Sequence, residues 1–599
     1  MKILKGTIGI LALALSAAFV QDSSAQTAQL QVLTAGSSAQ FGPFAIGAYA
    51  LANNVATTAV GHYTVKSGAC PDDGTGNGTS TASTCLAYLR DTRKVGTTDI
   101  VPEPGNLWVA WSQSGTGTSA VYQVWAYLSV DSTVGVRAFQ AAPRAKLTLA
   151  ALASLPVSAT TNYPYWNDNS NDSAMPTAVY NAINGVALTA ANTDIRPEDA
   201  LFATNRSLNS LGYGSVADPR SGHSGQFLIG TAISSHFGSG VAHPVSFAIS
   251  GADPFSGATP PAFKTIPVGA APIVFLANNT TGSATINGTN ITLANAGILF
   301  SGTVPSGGTA CQGSLVDGVS STAALNPVLR EPLSGTMNTT QYSVFDPKDQ
   351  ESGWTAAVSS VTCGSGARSR SIGTGDEVSA VRSQANSVGY AFFSYESTGA
   401  NANYKYLKLA GVDPLYPSTH TYTGALPSCG TLGGSNYLTC PVTGGTSFPG
   451  LRNNTYKAWS IYRMVTDSTN LTNTQTLATE AQLLVNSTIP DFVPFLPQCK
   501  LTTSGTDEPG LDVYRAHYVP STITTVPNTI TVTANSGPLP ANTSCTVGSS
   551  YTLKSYTLGG TDPSGTNTEQ GGDAGGAIQG PFSGSTQPTV PGTTQTSTH

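Results

Sequence analysis

The chain of 599 residues has a low share of charged side chains, 10%, and a formal net charge of −6 at neutral pH. An average protein has about 25% charged residues, so we expect Ser, Thr, Asn and Gly to cover most of this surface. The net negative charge argues against nucleic acids and anionic membranes as partners, because both attract basic surfaces.

The first 25 residues have the pattern of a secretory signal peptide. Lys2 and Lys5 precede an apolar run at 8–20, and residues 23–25 (SSA) are small enough for a cleavage site. Cleavage would remove both lysines and take the net charge from −6 to −8. Neither this run nor any later segment has the ~18 apolar residues of a membrane span. We therefore expect a soluble periplasmic or extracellular protein.

Strand-like and helix-like segments alternate after the signal peptide. The stretch QLQVLTAG (29–36) leads into a segment with helical apolar spacing, and residues 130–139 and 193–208 repeat this strand-to-helix transition. Continuous apolar strands at 266–279 and 387–397 are typical of strands buried on both faces of a sheet. This alternation predicts an α/β protein with mixed, largely parallel sheets.

The segments NLWVAWS and AVYQVWAYLSV predict a β-hairpin at 106–130. Trp108, Trp111 and Trp125 alternate along it, a pattern that favours a place in the core, with a sugar-binding platform as the alternative. A strand-like segment at 454–465 and a helix-like segment at 476–487 complete the regular part of the chain.

The cysteines predict disulfides. Their number, eight, is even, and all follow the signal peptide, as expected of an exported protein with paired cysteines. The order along the chain suggests the pairs Cys70–Cys85, Cys311–Cys363, Cys429–Cys440 and Cys499–Cys545. Free or metal-binding thiols are the less favoured alternative, because the sequence contains no C-x-x-C motif.

Residues 330–336 (REPLSGT) combine an arginine, a hydroxyl and what resembles a helix start. A guanidinium fork and the unpaired backbone N–H groups of a helix N-terminus can together hold a tetrahedral oxyanion without a metal ion. The bland alternative is a surface arginine that pairs with Glu331.

The ordered segments GSSAQF, VDSTVGV, PEDALFA, IPVGAAPIVFLANN, REPLSGT and VGYAFFSYES resemble the PstS-like phosphate-binding proteins of phosphate ABC transporters. These proteins belong to the type II periplasmic-binding-protein superfamily. The resemblance covers roughly residues 30–60, 120–142, 193–210 and 265–490, with long insertions between. It implies a two-lobed α/β fold and phosphate or a related oxyanion as the ligand, with no cofactor.

The resemblance also implies which residues form the anion pocket. Two departures weaken the match: the family's Asp two residues after the arginine is Pro332 here, and its Gly-Gly in the second loop is Val134-Gly135. Gln40 or Ala39 could equally fill the first position. Carried over in chain order, the ligand-binding residues would be Ser38, Ser132, Asp199, Arg330, Ser334, Gly335 and Thr336.

A carboxylate such as Asp199 in an anion pocket would select among anions. Hydrogen phosphate can donate its proton to the carboxylate, whereas sulfate has none to give at neutral pH and would meet it with lone pairs alone. Taken alone, Asp199 and the pair Ser37 and Gln40 are better explained as helix N-caps.

Other chemistries have weaker support. The histidines His223, His236 and His243 match no compact metal motif, and we expect ordinary loop residues. The segments GHSGQ (222–226) and GTGNGT (74–79) lack essential parts of a nucleophile elbow and a phosphate-binding loop. No catalytic residues or metal ligands stand out, so we do not expect an enzyme.

The sequence therefore predicts an exported solute-binding protein that presents an oxyanion to an ABC permease. A surface or adhesive protein that reuses this scaffold, or a secreted hydrolase, is the alternative. The expected layout is a signal peptide (1–25), lobe 1 (26–265 and 398–498, with insertions near 61–105 and 143–192), lobe 2 (266–397), a β-rich extension (499–558) and a disordered tail (559–599).

Overall fold

The computed structural model describes ten main stretches of the chain, with a few short gaps inside them. These are 26–68, 84–157, 172–195, 263–279, 288–301, 311–344, 362–394, 402–427, 448–487 and 491–494. A few isolated positions such as Cys70 are also described, and after residue 499 only the backbone of short strands.

Eight helices lie in the described residues, in addition to short 3-10 turns such as Ser38–Gln40. The helices are α1 (Phe41–Val55), α2 (Ser132–Gln140), α3 (Thr177–Ile183), α4 (Leu293–Ser301), α5 (Gly335–Ser343), α6 (Gly373–Ser383), α7 (Pro449–Arg452) and α8 (Leu471–Ser487). Among the described residues, no helix has both the length and the apolar character that crossing a membrane requires.

The strands up to residue 494 supply the main sheet and several smaller pairings. They are β1 (Thr27–Ser37), β2 (Ala59–Lys66), β3 (Ala87–Arg90), β4 (Lys94–Val95), β5 (Thr98–Asp99), β6 (Glu103–Pro104), β7 (Asn106–Ser114), β8 (Val121–Val130), β9 (Lys146–Leu149), β10 (Val186–Ala187), β11 (Ala190–Thr193), β12 (Phe263–Asn278), β13 (Asn290–Ile291), β14 (Asn326–Arg330), β15 (Thr362–Cys363), β16 (Gly366–Ala367), β17 (Ser369–Ser371), β18 (Ser387–Phe392), β19 (Tyr404–Leu409), β20 (Trp459–Thr466) and β21 (Val493–Pro494).

One large mixed sheet organises the molecule, with the strand order β17-β14-β18-β12-β20-β11-β1-β8-β7-β2. The long strand β12 joins its two parts: residues 264–272 pair with β20, and residues 273–277 pair with β18. We call β2, β7, β8, β1 and β11 the first half of the sheet, and β18, β14 and β17 the second half. The predicted α/β class with a mixed sheet is confirmed. The sheet is not largely parallel as expected: of the nine neighbouring pairs in this order, four are parallel and five are antiparallel.

Each half contains parallel strands. In the first half, β1 runs parallel to both β8 and β11, and in the second half β14 runs parallel to β17 and β18. The carboxyl ends of parallel strands meet at one edge of a sheet, where the loops to the following helices begin. This arrangement brings loops that are distant in sequence together.

The hydrophobic core lies on both faces of the sheet. Trp108, Trp111 and Trp125 are all buried, which confirms the prediction that the hairpin tryptophans are core residues. The indole N–H of Trp108 donates a 2.9 Å hydrogen bond to the carbonyl of Phe41, so the hairpin also holds the start of α1. Buried indoles ordinarily find such a partner.

A disulfide joins Cys70 to Cys85, as predicted. It lies beside a small sheet with the order β10-β9-β3-β6. Cys311 is also disulfide-bonded, and the prediction that Cys363 is its partner stays a prediction. Cys429, Cys440, Cys499 and Cys545 lie outside the described residues.

Beyond residue 499 the structure describes nine short strands. They are β22 (Lys500–Thr503), β23 (Thr506–Pro509), β24 (Val513–Ala516), β25 (Ile530–Thr533), β26 (Gly548–Leu553), β27 (Thr557–Leu558), β28 (Ala574–Gln579), β29 (Ser583–Gly584) and β30 (Thr596–Ser597). The disordered tail expected from residue 559 stays a prediction.

Both stretches that were predicted as insertions contribute strands to the main sheet, and their status as insertions stays a prediction. In the stretch near 61–105, β2 pairs along its whole length with β7 as the edge of the main sheet. Within 143–192, β11 is an interior strand between β1 and β20. β11 has only four residues, AANT, and β2 is an eight-residue strand inside an otherwise Gly-rich stretch. The partners of both strands depend on long-range pairing, which the local pattern does not contain.

The apolar segment at 387–397 contains β18, next to the predicted boundary between lobe 2 and lobe 1. Strand β18 pairs with β14 and with the second part of β12. Strand β20 lies between β11 and the first part of β12, and so it connects to the first half of the sheet. Strand β19, which we had placed in lobe 1, pairs with the second part of β12. Apolar character indicates that a strand is buried, but it does not predict which strands will pair with it.

Candidate functional site

Three loops of the first half meet at one edge of the sheet. In the parallel register, Ser37 at the end of β1 lies opposite Val130 at the end of β8, and Gly36 lies opposite Asn192 of β11. Ser37, Ser132 and Asp194, which lie at or just after the ends of these strands, come together there.

Gly135 allows α2 to start close to the end of β1. A Cβ on this residue would lie 2.5 Å from the carbonyl oxygen of Ala35, far inside van der Waals contact. The family's second loop has Gly-Gly where this chain has Val134-Gly135, and the packing against β1 requires glycine at position 135. It brings Ser132, the first residue of α2, over the end of the central strand.

Asp194 is the buried carboxylate at the centre of this edge. The Ser132 hydroxyl donates to its Oδ1 and in turn accepts from the Asp194 backbone N–H at 3.3 Å. The Ser37 hydroxyl donates to Oδ2 at 3.4 Å. The Ser460 hydroxyl, from β20, donates to the Asp194 carbonyl. Both the side chain and the backbone of Asp194 are therefore held in place.

The second half contributes Arg330 at the carboxyl end of β14. This side chain is almost completely buried, and its Nη1 donates to the Thr336 hydroxyl at 3.2 Å. Its Nη2 lies 3.3 Å from Oδ1 of Asp131, the residue before α2, and forms an ion pair that joins the two halves. The arginine fork thus lies between a helix start of its own half and an acid of the other.

The N-terminus of α5 faces Asp194. Ser334 is its N-cap, and its hydroxyl accepts a hydrogen bond from the Met337 N–H at 3.4 Å. A Cβ on Gly335, the next residue, would lie 1.6 Å from Asp194 Oδ1, so only glycine allows the carboxylate to rest against this turn. A helix N-terminus carries about half a positive charge, which stabilises an anion here.

Ser38 makes a different contact from the one that the resemblance implied. Its hydroxyl lies 3.1 Å from the Thr374 hydroxyl and accepts a 3.1 Å hydrogen bond from the Thr374 backbone N–H, in the first turn of α6. A residue of the first half therefore caps a helix of the second half. Gln40, the alternative at this position, is buried and accepts from the Asn192 amide instead.

Burial raises the pKa of Asp194 from 3.8 to about 6. The Ser132 hydrogen bond and the charge of Arg330 act in the opposite direction, and burial exceeds them. The pKa values of Tyr127 and Tyr462 are raised as well, by burial and then by the nearby charge of Asp194. Both phenols are therefore neutral donors, and Tyr127 donates to the Ser37 carbonyl at 2.6 Å.

The structure brings most of the sequence-predicted residues to this edge. Asp199 and the three histidines of the 222–244 stretch lie outside the described residues. No group of three or more potential metal ligands occurs among the residues that the structure describes. The predicted residues found here are Ser38, Ser132, Arg330, Ser334, Gly335 and Thr336.

Sequence reasoning missed three residues of the site. Asp194 directly follows β11, within the strand-to-helix transition that we had recognised, and Asp131 directly precedes Ser132. Ser371, at the end of β17, lies opposite Arg330 in the parallel register, is fully buried, and its hydroxyl has no hydrogen-bond partner among the described residues. The usable signal was position: each of the three lies at or directly after the end of a parallel strand.

Comparisons with known proteins find only distant structural similarity. No family model matches the chain, and no curated protein matches it. Solved structures that resemble it include a Clostridium perfringens protein described as a phosphate ABC transporter substrate-binding protein with bound phosphate, at 17% identity and a TM-score of 0.23. An ABC-type phosphate transport receptor from Vibrio cholerae has 13% identity and a TM-score of 0.24. A DING protein has 11% identity and a TM-score of 0.25.

The aligned parts are also limited. The match covers 37% of this chain and 65% of the Clostridium protein, 37% and 70% for the Vibrio receptor, and 59% and 83% for the DING protein. With TM-scores this low, the likeness carries no weight for the ligand or the function of this chain.

Proposed function

We propose that this chain is an exported binding protein that captures phosphate or a related tetrahedral oxyanion in a cleft between two lobes. The two lobes are the two halves of the sheet with their helices, which β12 joins. The observation that carries the proposal is the meeting of Arg330, Ser132 and the N-terminus of α5 around one buried carboxylate, Asp194.

The charges of the cleft support an anion as the ligand. Without one, the carboxylate of Asp194 itself occupies the anion position: it accepts two hydroxyl hydrogen bonds and rests on a helix N-terminus. The same donors suit phosphate oxygens, and the guanidinium of Arg330 can donate to two of them at once. In a buried site such donors are worth more than in water.

Asp194 gives the proposed site its selectivity. An oxyanion at the α5 N-terminus lies next to the carboxylate, and two anions in contact repel unless a proton lies between them. Hydrogen phosphate or hydrogen arsenate supplies that proton, whereas sulfate does not. Asp194 thus takes the role that the resemblance gave to Asp199.

The contacts between the halves suggest how the ligand is held. The Arg330–Asp131 ion pair and the Ser38 cap on α6 close the cleft, so the two halves must separate before an anion can reach the site. Binding energy that restores these contacts around the anion would favour the closed form, which an ABC permease would then recognise. The chain acts here as a receptor and catalyses no reaction.

The direct test is calorimetry on protein that has been unfolded, dialysed free of ligand and refolded. We expect phosphate and arsenate to bind and sulfate to bind at least tenfold more weakly, a difference of about 1.4 kcal/mol. Equal affinity for all three anions would contradict the proposed role of Asp194 in selecting phosphate over sulfate. If none of the three anions binds, the proposal of an oxyanion receptor is wrong, and a surface or adhesive protein that reuses this scaffold is the better explanation.

A further inference from the structure

A second cavity, of about 370 Å³, lies at the end of β19 and shares no residue with the cleft. Its walls come from three segments: Lys408 with the turn at 411–413, residues 416–420, and residues around 449–455. Binding sites for small molecules commonly have volumes of ~300–1,000 Å³ and combine apolar walls with a few fixed polar groups.

The carboxylate of Asp413 is fixed in this cavity. Its Oδ1 accepts hydrogen bonds from the backbone N–H groups of Leu415 and Tyr416, at 2.8 and 3.1 Å. Its Oδ2 accepts from the Tyr406 hydroxyl at 2.8 Å. A carboxylate that is held from three sides loses little freedom when it binds a further donor, because its position is already set.

The ammonium of Lys408 is the opposite charge in the same cavity. Its Nζ lies 4.8 Å from the centre of the Tyr422 ring, a cation–π contact that leaves the charge uncompensated. Neither Lys408 nor Asp413 forms an ion pair with any described residue, and they do not pair with each other. Two opposite charges thus line one cavity and stay apart.

An aromatic pair forms another wall. The rings of Tyr416 and His420 are stacked, with centroids 3.9 Å apart and planes 11° from parallel. The turn that connects them is closed by a 2.9 Å hydrogen bond from the His420 N–H to the Pro417 carbonyl. Val412, Pro417 and Pro449 add apolar surface around this pair.

We propose that this cavity binds a free amino acid with an apolar side chain. A zwitterion is the ligand that matches one fixed carboxylate and one unpaired ammonium: its α-ammonium donates to Asp413, and its α-carboxylate accepts from Lys408. The side chain then lies against Tyr416, His420 and the proline-lined wall. Electrostatic complementarity of this kind disfavours ligands that lack either charge, since one of the two half-buried charges would then lose solvent without gaining a partner.

The test compares three probes on the full mature chain by calorimetry: L-phenylalanine, L-phenylalaninamide, which lacks the carboxylate, and N-acetyl-L-phenylalanine, which lacks the ammonium. We expect phenylalanine to bind at least tenfold more tightly than either derivative, because each derivative leaves one charge of the cavity without a partner. Equal affinity for the three, or no binding up to about 10 mM, would overturn the proposal.

Two variants assign the charges. Lys408→Met should bind phenylalanine and its amide with similar affinity, and Asp413→Asn should lose the preference over the N-acetyl derivative. Retention of the wild-type ratios in both variants would also overturn the proposal. Melting temperatures without ligand accompany both. Asp413 accepts three hydrogen bonds, so Asp413→Asn could fail to fold. In that case Lys408→Met alone tests the proposal, since the Lys408 ammonium makes no hydrogen bond with described residues.

Phosphate titration separates this proposal from that of the cleft. Lys408→Met should leave phosphate binding unchanged, while Arg330→Ala should weaken phosphate binding roughly 30- to 1,000-fold and leave phenylalanine binding unchanged. If phenylalanine binding were lost in Arg330→Ala although the variant is folded, the amino acid would be binding in the cleft, and the assignment to the cavity would be wrong.

Discussion

The two halves of the sheet bring opposite chemistry to the cleft. The first half contributes acceptors and hydroxyls: Asp194 and Asp131 are acids, and Ser132 and Ser37 donate to Asp194. The second half contributes the cation Arg330 and the N-terminus of α5. Separating the halves breaks the Arg330–Asp131 ion pair and exposes these charges to water. When the halves close, the buried charges need partners from the other half or from a ligand.

This difference explains why the site is compact without a ligand. The acceptors of the first half meet the donors of the second half, and the carboxylate of Asp194 serves as the anion at this meeting point. An oxyanion bound as we propose would compete with Asp194 for the same donors. The three changes below alter one side of this balance at a time.

Arg330→Ala should have the largest effect on phosphate binding. It removes the cation of the second half and leaves the oxyanion short of donors, which should cost ~2–4 kcal/mol, or roughly 30- to 1,000-fold in affinity. All tetrahedral anions should weaken alike. Calorimetry with phosphate and sulfate measures the loss.

Arg144→Ala is the matched control. Arg144 pairs with Asp467 at 2.6 Å, with both side chains partly exposed, and contacts no residue of the cleft. Its removal should leave phosphate affinity unchanged. A comparable loss in both variants would mean that net charge rather than position governs binding.

Gly335→Ala should have the next largest effect. The added methyl group would lie 1.6 Å from Asp194 Oδ1, so α5 and the carboxylate must move apart. Overpacking of this kind costs ~1–3 kcal/mol, or roughly 5- to 100-fold in affinity if it falls on the closed form. Melting temperature and phosphate affinity should fall together.

Gly375→Ala tests whether this effect is specific. Gly375 lies in the first turns of α6, and nothing would lie within 4 Å of an added Cβ. Here alanine should raise stability by about 0.4–1 kcal/mol through helix propensity and leave phosphate affinity unchanged. Weaker phosphate binding in Gly375→Ala would show that the α5 contact is not what matters.

Asp194→Asn should change affinity least and selectivity most. Asn accepts at one atom but also donates, so phosphate should weaken a few-fold and sulfate should gain, which reduces the preference for phosphate by about tenfold. Competition calorimetry with both anions measures the ratio. An unchanged ratio would contradict the proposed role of Asp194.

The same variant makes a prediction about pH. Since the pKa of Asp194 is raised to about 6, the folded state binds its proton more tightly than the unfolded chain between about pH 4 and 6. The free energy of unfolding of the wild type should therefore fall as pH rises through this window, by about 3 kcal/mol from this one group. Asn has no proton to lose, so the stability of Asp194→Asn relative to the wild type should rise by that amount.

Urea unfolding of both proteins at several pH values measures this difference, and Asp467→Asn is a control of opposite sign. Burial raises the pKa of Asp467, but the hydrogen bond and charge of Arg144 outweigh burial and hold it below its usual value. That variant should lose stability relative to the wild type as pH rises through about 4. If Asp194→Asn followed the same direction, the pKa shift of Asp194 would be wrong in sign.

Local pattern was enough to predict the α/β class, the buried hairpin tryptophans and the Cys70–Cys85 disulfide. It was also enough to single out REPLSGT, because Arg330 ends a strand and Ser334 caps a helix within seven residues of sequence. Each of these features depends on residues that are close in the chain, or on burial alone.

The sequence by itself determined which side chains could bind an anion: an arginine, several hydroxyls and the residue types that start helices. The tertiary structure decided which of them meet. Parallel pairing of β1 with β8 and β11 brings Asp194 to Ser132, and the same structure places Ser38 on α6 and makes β2 an edge strand. These choices depend on register between strands far apart in sequence, and the local pattern of a strand, above all of one as short as β11 with its four residues, does not fix that register in advance.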